Sequence, residues 1–77
     1  MVIKVLFFGQ LLDIVGTDHL ILDQVGDTAQ LRQILLERYP ALASIPFTMA
    51  LDHRFVAEEQ IFLSDSTVAC MPPFSGG

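Results

Sequence analysis

The sequence contains few basic residues. Of its 77 residues only four are lysine or arginine, against nine aspartate and glutamate residues, which gives a formal net charge of −5 at pH 7. Binding to a nucleic-acid backbone requires clustered lysine and arginine side chains that neutralise phosphates. The composition therefore argues against a nucleic-acid partner.

Cysteine and long hydrophobic runs are also scarce. Cys70 is the only cysteine, which excludes an internal disulfide and fits a reducing compartment. The longest apolar runs are far too short to span a bilayer. The first residues lack the basic segment and long apolar run of a secretory signal. We therefore expect a cytoplasmic protein with no membrane partner.

Apolar residues, by contrast, are abundant for so short a chain. Hydrophobic residues make up 52% of the sequence, and only 17% of the residues are charged. A length of 77 residues corresponds to a single domain with a small core. Because this composition is more apolar than a typical soluble domain, we expect part of the surplus to face a protein partner.

Five segments rich in β-branched and aromatic residues predict strands: residues 2–8, 19–22, 47–51, 54–57 and 67–71. Asp52-His53 fits a tight turn between the third and fourth strands. Residues 10–15 are apolar but too few to form a helix without tertiary support. Residues 57–66 form a connection with little periodicity.

One main helix is predicted after the second strand. Asp27 or Thr28 can accept a hydrogen bond from a free N–H of the first turn. With Asp27 as the cap, Gln30 stands where a capping-box partner belongs. Apolar residues then recur at helical spacing and form a buried stripe, made of Leu31, Ile34 and Leu35 with Tyr39 as a further candidate. Pro40 ends the helix, because it disfavours the α conformation in the preceding residue.

This order of elements predicts an α+β domain. A mixed sheet of about five strands would have one main helix on one face, and its other face would be left open. We expect this domain to cover residues 1–72. A flexible Gly-Gly tail is expected at residues 73–77.

Side-chain alternation predicts which residues lie on the open face. In the first strand Lys4 shares its face with every second residue, and an unpaired lysine is almost never buried, so that set should point outward. Thr67 indicates the outward set of the last strand in the same way. If these two strands are neighbours, four apolar side chains form a patch, here called the tail-root patch: Leu6, Phe8, Ala69 and Met71. The alternative is that a loop of the same chain covers them.

The sequence ends in Pro72-Pro73-Phe74-Ser75-Gly76-Gly77. The two proline rings stiffen the exit from the domain, and glycines without Cβ atoms can enter a narrow slot. Five extended residues reach roughly 17 Å, at about 3.4 Å each. This pattern suits a tail whose terminal carboxylate enters the active site of another protein. The alternative is a frayed terminus.

Other residues give weaker signals. Cys70 is interpreted as a small core residue, with a sulfur-relay thiol as the alternative. His19 and His53 lack the spacing of a metal site and are interpreted as surface residues, so no metal is expected. The sequence has no glycine-rich phosphate loop with a lysine, and we expect no cofactor bound to the chain itself.

The chain resembles the small subunits of molybdopterin synthase, which are MoaD/ThiS-like sulfur-carrier proteins with the ubiquitin-like β-grasp fold. The resemblance covers essentially the whole chain. Its first part is Val5-Leu6-Phe7-Phe8-Gly9-Gln10-Leu11, followed by the Gly16 turn and by the Asp27-Thr28 helix start with Leu31. Its last part is the segment from Val68 to the Pro-Pro-x-x-Gly-Gly end. That end is specific to these subunits, whereas a bare Gly-Gly end also occurs in thiamine sulfur carriers and ubiquitin-like modifiers.

The resemblance implies a function and two partners. An ATP-dependent activating enzyme would adenylate the carboxyl group of Gly77, and sulfur would convert it to a thiocarboxylate. The large subunit of molybdopterin synthase would receive the tail within a heterotetramer, and sulfur would pass to a pterin precursor. Gly76 and Gly77 would be the reacting end. The residues expected to contact the partners are those of the tail-root patch together with Pro72, Pro73, Phe74 and Ser75. ATP would belong to the activating enzyme, and the chain would not be catalytic on its own.

Two alternatives stay open. The chain could carry sulfur for thiamine synthesis or for tRNA thiolation, although Pro72-Pro73 argues against this. It could also be a noncovalent ubiquitin-like interaction module that is never activated.

Overall fold

A computed structural model describes residues 1–52, 54–55 and 59–72. Its elements, in chain order, are β1 (Ile3–Phe7), α1 (Gln10–Val15), β2 (His19–Leu22), α2 (Thr28–Arg38), a 3-10 helix (Pro40–Ser44), β3 (Thr48–Leu51), β4 (Arg54–Phe55) and β5 (Ser66–Met71). All the predicted strands and the main helix are present, and the described ends of the strands differ from the prediction by at most one residue. His53, the end of the predicted fourth strand at 56–57 and the predicted tail at 73–77 lie outside the described residues.

The strands form one mixed sheet in the order β2-β1-β5-β3-β4. β1 and β5 are parallel neighbours at its centre, with Leu6 opposite Ala69 and Phe7 opposite Cys70. The pairs of β1 with β2, of β3 with β5 and of β3 with β4 are antiparallel. The predicted adjacency of the first and last strands is therefore confirmed, and so is the ubiquitin-like α+β architecture.

The short segment after β1 is a helix. α1 spans only six residues, fewer than an isolated helix needs for stability in water. Leu11 is buried against the core, which supplies the tertiary support that the sequence required. Gly16 ends α1 in the left-handed conformation, at φ 83°, and its N–H donates to the carbonyl of Leu12 at 2.9 Å.

Asp27, not Thr28, caps α2. The carboxylate of Asp27 accepts a hydrogen bond from the N–H of Gln30 at 2.7 Å. The side-chain oxygen of Gln30 in turn accepts a hydrogen bond, at 2.7 Å, from the N–H of Gly26, which is one residue before the cap. The predicted capping box is thus present in a form shifted by one residue.

Thr28 links the start of α2 by hydrogen bonds to the segment that precedes β5. Its buried hydroxyl accepts a hydrogen bond from the N–H of Gln60 at 2.9 Å, and its own N–H donates to the carbonyl of Gln60. The N–H of Phe62 donates to the carbonyl of Gly26 at 2.9 Å, and the side chain of Phe62 is buried. The connection without periodicity is therefore fixed to the helix start, which the sequence did not predict.

The core lies between α2 and the inner face of the sheet. Leu31 and Leu35 of the predicted stripe are fully buried, and Ile34 and Tyr39 pack against the core in half-buried positions. The sheet contributes alternate residues, as the period of two requires: Ile3, Val5 and Phe7 from β1, Leu22 from β2, Met49 from β3, and Val68 and Cys70 from β5. The ring of Tyr39 meets that of Phe7 edge to face, with centroids 6.4 Å apart.

Cys70 is a core residue, as predicted, with only 1% of its surface exposed. Burial disfavours the thiolate and raises the pKa of the Cys70 thiol from 9.0 to about 12. The thiol is therefore protonated and on the inner side of the sheet. This argues against the alternative role of a sulfur-relay nucleophile, since the thiolate is the reactive form.

None of the helices in the described part of the chain is long and apolar enough to cross a membrane.

The cap of α2 gives a first prediction. Asp27→Ala removes the acceptor for the N–H of Gln30 and is expected to lower the free energy of unfolding by about 1 kcal/mol, measured by guanidinium denaturation. Asp27→Asn is the matched control, because asparagine keeps an acceptor oxygen and caps about equally well. An equal loss in both variants would show that charge, and not the hydrogen bond, is responsible.

Cys70 gives a second prediction, on pH dependence. Because the native thiol has a pKa of about 12, alkylation by iodoacetamide should be slow at pH 8 and should rise steadily as the pH approaches 10. In guanidinium the pKa of the thiol should return to about 9.0, so its rate should be much higher at pH 8 and should level off about one pH unit above that pKa. A native chain that reacts as fast as the unfolded one at pH 8 would contradict the burial of this thiol.

Candidate functional site

The structure brings the four residues of the tail-root patch together on the outer face of the sheet. Parallel pairing places Leu6 beside Ala69. One residue further along, the N–H of Phe8 donates to the carbonyl of Cys70 at 3.1 Å, so Phe8 lies level with the end of β5. Met71 is the last residue of that strand, and Pro72 follows it directly. The patch therefore lies where the chain leaves the sheet.

The four side chains differ in exposure. Phe8 is 48% exposed, which is unusual for a large aromatic side chain. Leu6, Ala69 and Met71 are half-buried. Their sequence neighbours on the inner face are buried, so the predicted alternation of the two central strands is present. The patch is therefore only partly accessible, and Phe8 is its most accessible member.

Residues of β3 border the patch on one side. Thr48 lies opposite Met71 and Ala50 lies opposite Ala69. The hydroxyl of Thr48 donates to the carbonyl of Met71 at 3.4 Å, at the point where the predicted tail begins. Ala50 lies on the same face as Ala69 and is buried, so the outer face is covered along this border and the accessible part of the patch ends there.

Residues of β2 border the patch on the other side. His19 lies opposite Leu6, and Ile21 lies opposite Lys4. His19 is exposed, as predicted, and its Nδ1 is 2.7 Å from a carboxylate oxygen of Asp18. This hydrogen bond from His19 lowers the pKa of the exposed Asp18 carboxyl. The apolar patch thus has a charged and polar margin on the β2 side, an arrangement typical of protein interfaces.

Some exposed apolar residues were not singled out by the sequence. Ile21 is 58% exposed on the outer face, and its alternation with the inward Leu20 and Leu22 was the signal that could have identified it. Ile61 and Leu63 are 72% and 86% exposed on either side of the buried Phe62. These two lie before β5, away from the tail-root patch at its end.

Apart from the tail-root patch, a concave surface lies on the helical side of the molecule. It is lined by residues of α2 and of the segment around the 3-10 helix. Within it the guanidinium carbon of Arg32 lies 4.7 Å from the centroid of the Phe47 ring, a cation–π contact. Within residues 1–52, 54–55 and 59–72, no three acidic, histidine or cysteine side chains are grouped so that they could hold a metal ion.

The predicted site residues therefore fall into two groups. Leu6, Phe8, Ala69, Met71 and Pro72 are neighbours in space at the end of the two central strands, and their role in partner binding stays a prediction. The other predicted site residues lie outside the described residues: Pro73, Phe74, Ser75, Gly76 and Gly77.

Similar proteins include sulfur carriers of two nematodes. The molybdopterin synthase sulfur carrier subunits of Caenorhabditis briggsae and Caenorhabditis elegans are each 36% identical to this chain over 81 aligned residues. Each alignment covers 97% of this chain and 96% of the nematode protein.

Solved structures share the fold at lower identity. The small archaeal modifier protein 1 of Methanosarcina acetivorans superposes with a TM-score of 0.82 at 21% identity, covering 99% of this chain and 96% of that one. A chain from the complex of subunits 1 and 2 of molybdopterin-converting factor from Helicobacter pylori superposes with a TM-score of 0.75 at 21% identity, covering both chains completely.

The sequence also matches a family model over nearly all of its length. The model is that of the ThiS family, and the match extends over residues 5–77. It thus includes the end of β1, all of β5 and the Gly-Gly end. Together with the fold and the two nematode relatives, this match shows that the chain belongs to the ThiS family of ubiquitin-like sulfur-carrier proteins.

Proposed function

We propose that this protein is the sulfur-carrier subunit of a molybdopterin synthase, and that the carboxyl group of Gly77 is its reacting group. The observation that carries the proposal is the position of Pro72. It follows β5 without a break, at the edge of a partly open apolar patch. A partner that docks on the patch would therefore find the tail leaving the domain at the edge of the interface. The 36% identity to molybdopterin synthase sulfur carrier subunits supports this assignment within the family.

The proposed chemistry begins with activation of the tail. A carboxylate is a poor electrophile, because oxide would have to leave. Transfer of AMP from ATP to the carboxylate of Gly77 forms an acyl-phosphate anhydride and releases pyrophosphate. A sulfide-level sulfur nucleophile supplied by a partner then attacks the acyl carbon, AMP leaves, and a thiocarboxylate remains. The thiocarboxylate sulfur is a soft nucleophile that attacks the pterin precursor, and water then hydrolyses the resulting thioester, so that the sulfur stays on the precursor and the carboxylate of Gly77 is restored.

In this scheme the domain itself carries and presents the reagent. The groups that bind ATP and polarise the phosphate would belong to the activating enzyme. The groups that bind the pterin precursor would belong to the large subunit. The contribution of this chain is to hold a narrow tail in a fixed direction, because correct orientation of a reacting group lowers the barrier substantially.

The tail-root patch is proposed as the docking surface for the large subunit. The H. pylori structure is a complex of two subunits of molybdopterin-converting factor, which supports a two-subunit assembly for this chain as well. Phe8 is the most exposed residue of the patch and lies level with the end of β5, where the chain leaves the sheet. Buried aromatic anchors often supply much of the affinity of an interface, so Phe8 is the residue expected to matter most.

Intact-mass measurement tests the proposed chemistry. Incubation with the activating enzyme, ATP and a sulfur donor should add about 16 Da, because one oxygen is replaced by sulfur. Deleting Gly77 should abolish both the mass increase and molybdopterin formation and should leave the thermal unfolding midpoint unchanged, since the domain ends before the tail. Full activity of the truncated chain would reject the proposal. Rescue of thiamine-deficient but not molybdenum-cofactor-deficient cells would favour the thiamine alternative.

Phe8 gives a separate prediction on binding. Phe8→Asp should weaken binding to the large subunit at least about tenfold, or about 1.4 kcal/mol, because a charge would be placed in an apolar interface. The measurement is calorimetric titration, with denaturation of each variant alongside.

The matched control is Leu63→Asp. It makes the same kind of change at an exposed residue before β5, away from the patch, and should leave affinity within about twofold. Equal losses for both variants, or loss of binding only through unfolding of Phe8→Asp, would contradict the docking surface.

A further inference from the structure

The turn between β1 and α1 touches the start of the tail. Gly9 stands in this turn with φ 61° and ψ −135°, a conformation that glycine adopts readily and residues with a Cβ rarely do. A methyl group on Gly9 would lie 3.0 Å from Cγ and 3.2 Å from Cδ of the Pro72 ring. Ordinary contacts between carbon atoms are about 3.5–4.0 Å. The ring of Pro72 therefore packs closely against Gly9, and a methyl group there would force the ring or the turn to shift by a few tenths of an ångström.

Pro72 is held from other directions as well. The N–H of Phe8 donates to the carbonyl of Cys70 at 3.1 Å, which keeps the end of β5 paired with the residue before Gly9. The hydroxyl of Thr48 donates to the carbonyl of Met71 at 3.4 Å. Pro72 itself has a fixed φ near −65°. With the two preceding residues hydrogen-bonded and its own φ fixed, Pro72 is held in place at the point where the segment 73–77 begins.

We propose that Gly9 is a positioning residue for the tail: its bare Cα lets the Pro72 ring pack on the β1–α1 turn and thereby fixes the residue from which the tail starts. The contact is a property of the fold. Its effect on sulfur chemistry rests on the function proposed above. The sequence did not suggest this role, because Gly9 and Pro72 lie near opposite ends of the chain and no local pattern links them.

A displacement of Pro72 would move the point from which the segment that carries Gly77 starts. Misplacement of a reacting group by about 1 Å can cost about 10²-fold in rate. A methyl group on Gly9 should therefore affect the reaction step more than it affects docking on the tail-root patch, because it would approach Pro72 and not Leu6, Ala69 or Met71.

The test compares Gly9→Ala with Gly16→Ala. Both variants place a methyl group on a glycine at positive φ, but a methyl group on Gly16 would meet no atom within 4 Å. The reaction is ATP-dependent activation of Gly77 followed by sulfur transfer to the pterin precursor with the large subunit. Gly9→Ala should lower kcat at least about tenfold and change KM by less than about threefold. Gly16→Ala should keep both within about twofold. A Gly9→Ala chain with unchanged kcat, or equal losses in both variants, would overturn the proposal.

A double variant tests whether the effect passes through Pro72. Pro72→Ala removes the ring atoms that the methyl group would meet, although it also loosens the tail and should itself lower kcat. If Gly9 acts through Pro72, adding Gly9→Ala to the Pro72→Ala chain should cause little further loss, because coupled residues are not additive. The same fold-loss in both backgrounds would show that Gly9 acts only through backbone strain and would overturn the proposal.

Nuclear magnetic resonance separates this inference from the proposed function. The native chain should show nuclear Overhauser effects between the Hα protons of Gly9 and the ring protons of Pro72, whether or not the tail is ever activated. Their absence would overturn the positioning role. A chain that shows them but never gains sulfur would instead overturn the proposed function. If Gly9→Ala does not fold, these effects and the kcat of Pro72→Ala decide the matter, and an unchanged kcat in Pro72→Ala would refute the inference.

Discussion

The parallel pairing of β1 with β5 is the constraint on which the rest of the structure depends. Parallel neighbours cannot be joined by a tight turn, so the chain between them must cross over the sheet, and α2 forms the main part of that crossover. Alternation in the two central strands then separates two surfaces. Val5 and Val68 face the helix and are buried, while Leu6 and Ala69 face outward. The same pairing decides where β5 ends and where the tail begins.

The difference between the buried and the exposed face of the sheet fixes the register of β1 and β5. A slip of one residue would exchange the inward and outward sets, placing Lys4 in the core and Val5 in water. The crossover is also fixed at its ends, because the start of α2 is bonded to the segment before β5 through Thr28 and Gln60. Packing of the core on the inner face therefore determines which residues lie on the outer face.

Much of this could be predicted from local patterns. β2 was predicted with its observed ends, the cap at Asp27 was one of two candidates, and Lys4 correctly indicated the outward face. What could not be predicted depends on contacts between residues far apart in the chain. The burial of Phe62 follows from its bond to Gly26, and the conformation of Gly9 is matched to Pro72. Neither contact leaves a periodic signal, since each is created only when the strands pair.

The two ends of the central strand pair have different practical value. Because β1 and β5 run in the same direction, Ile3 and Ser66 lie at one edge of the sheet, and Phe7 and Cys70 lie near the other. A fluorescent protein or an affinity handle fused ahead of Met1 would emerge at the first edge, about a strand's length from Pro72. Such a fusion should leave the opposite edge unobstructed, so this protein can be immobilised or tracked through its amino end.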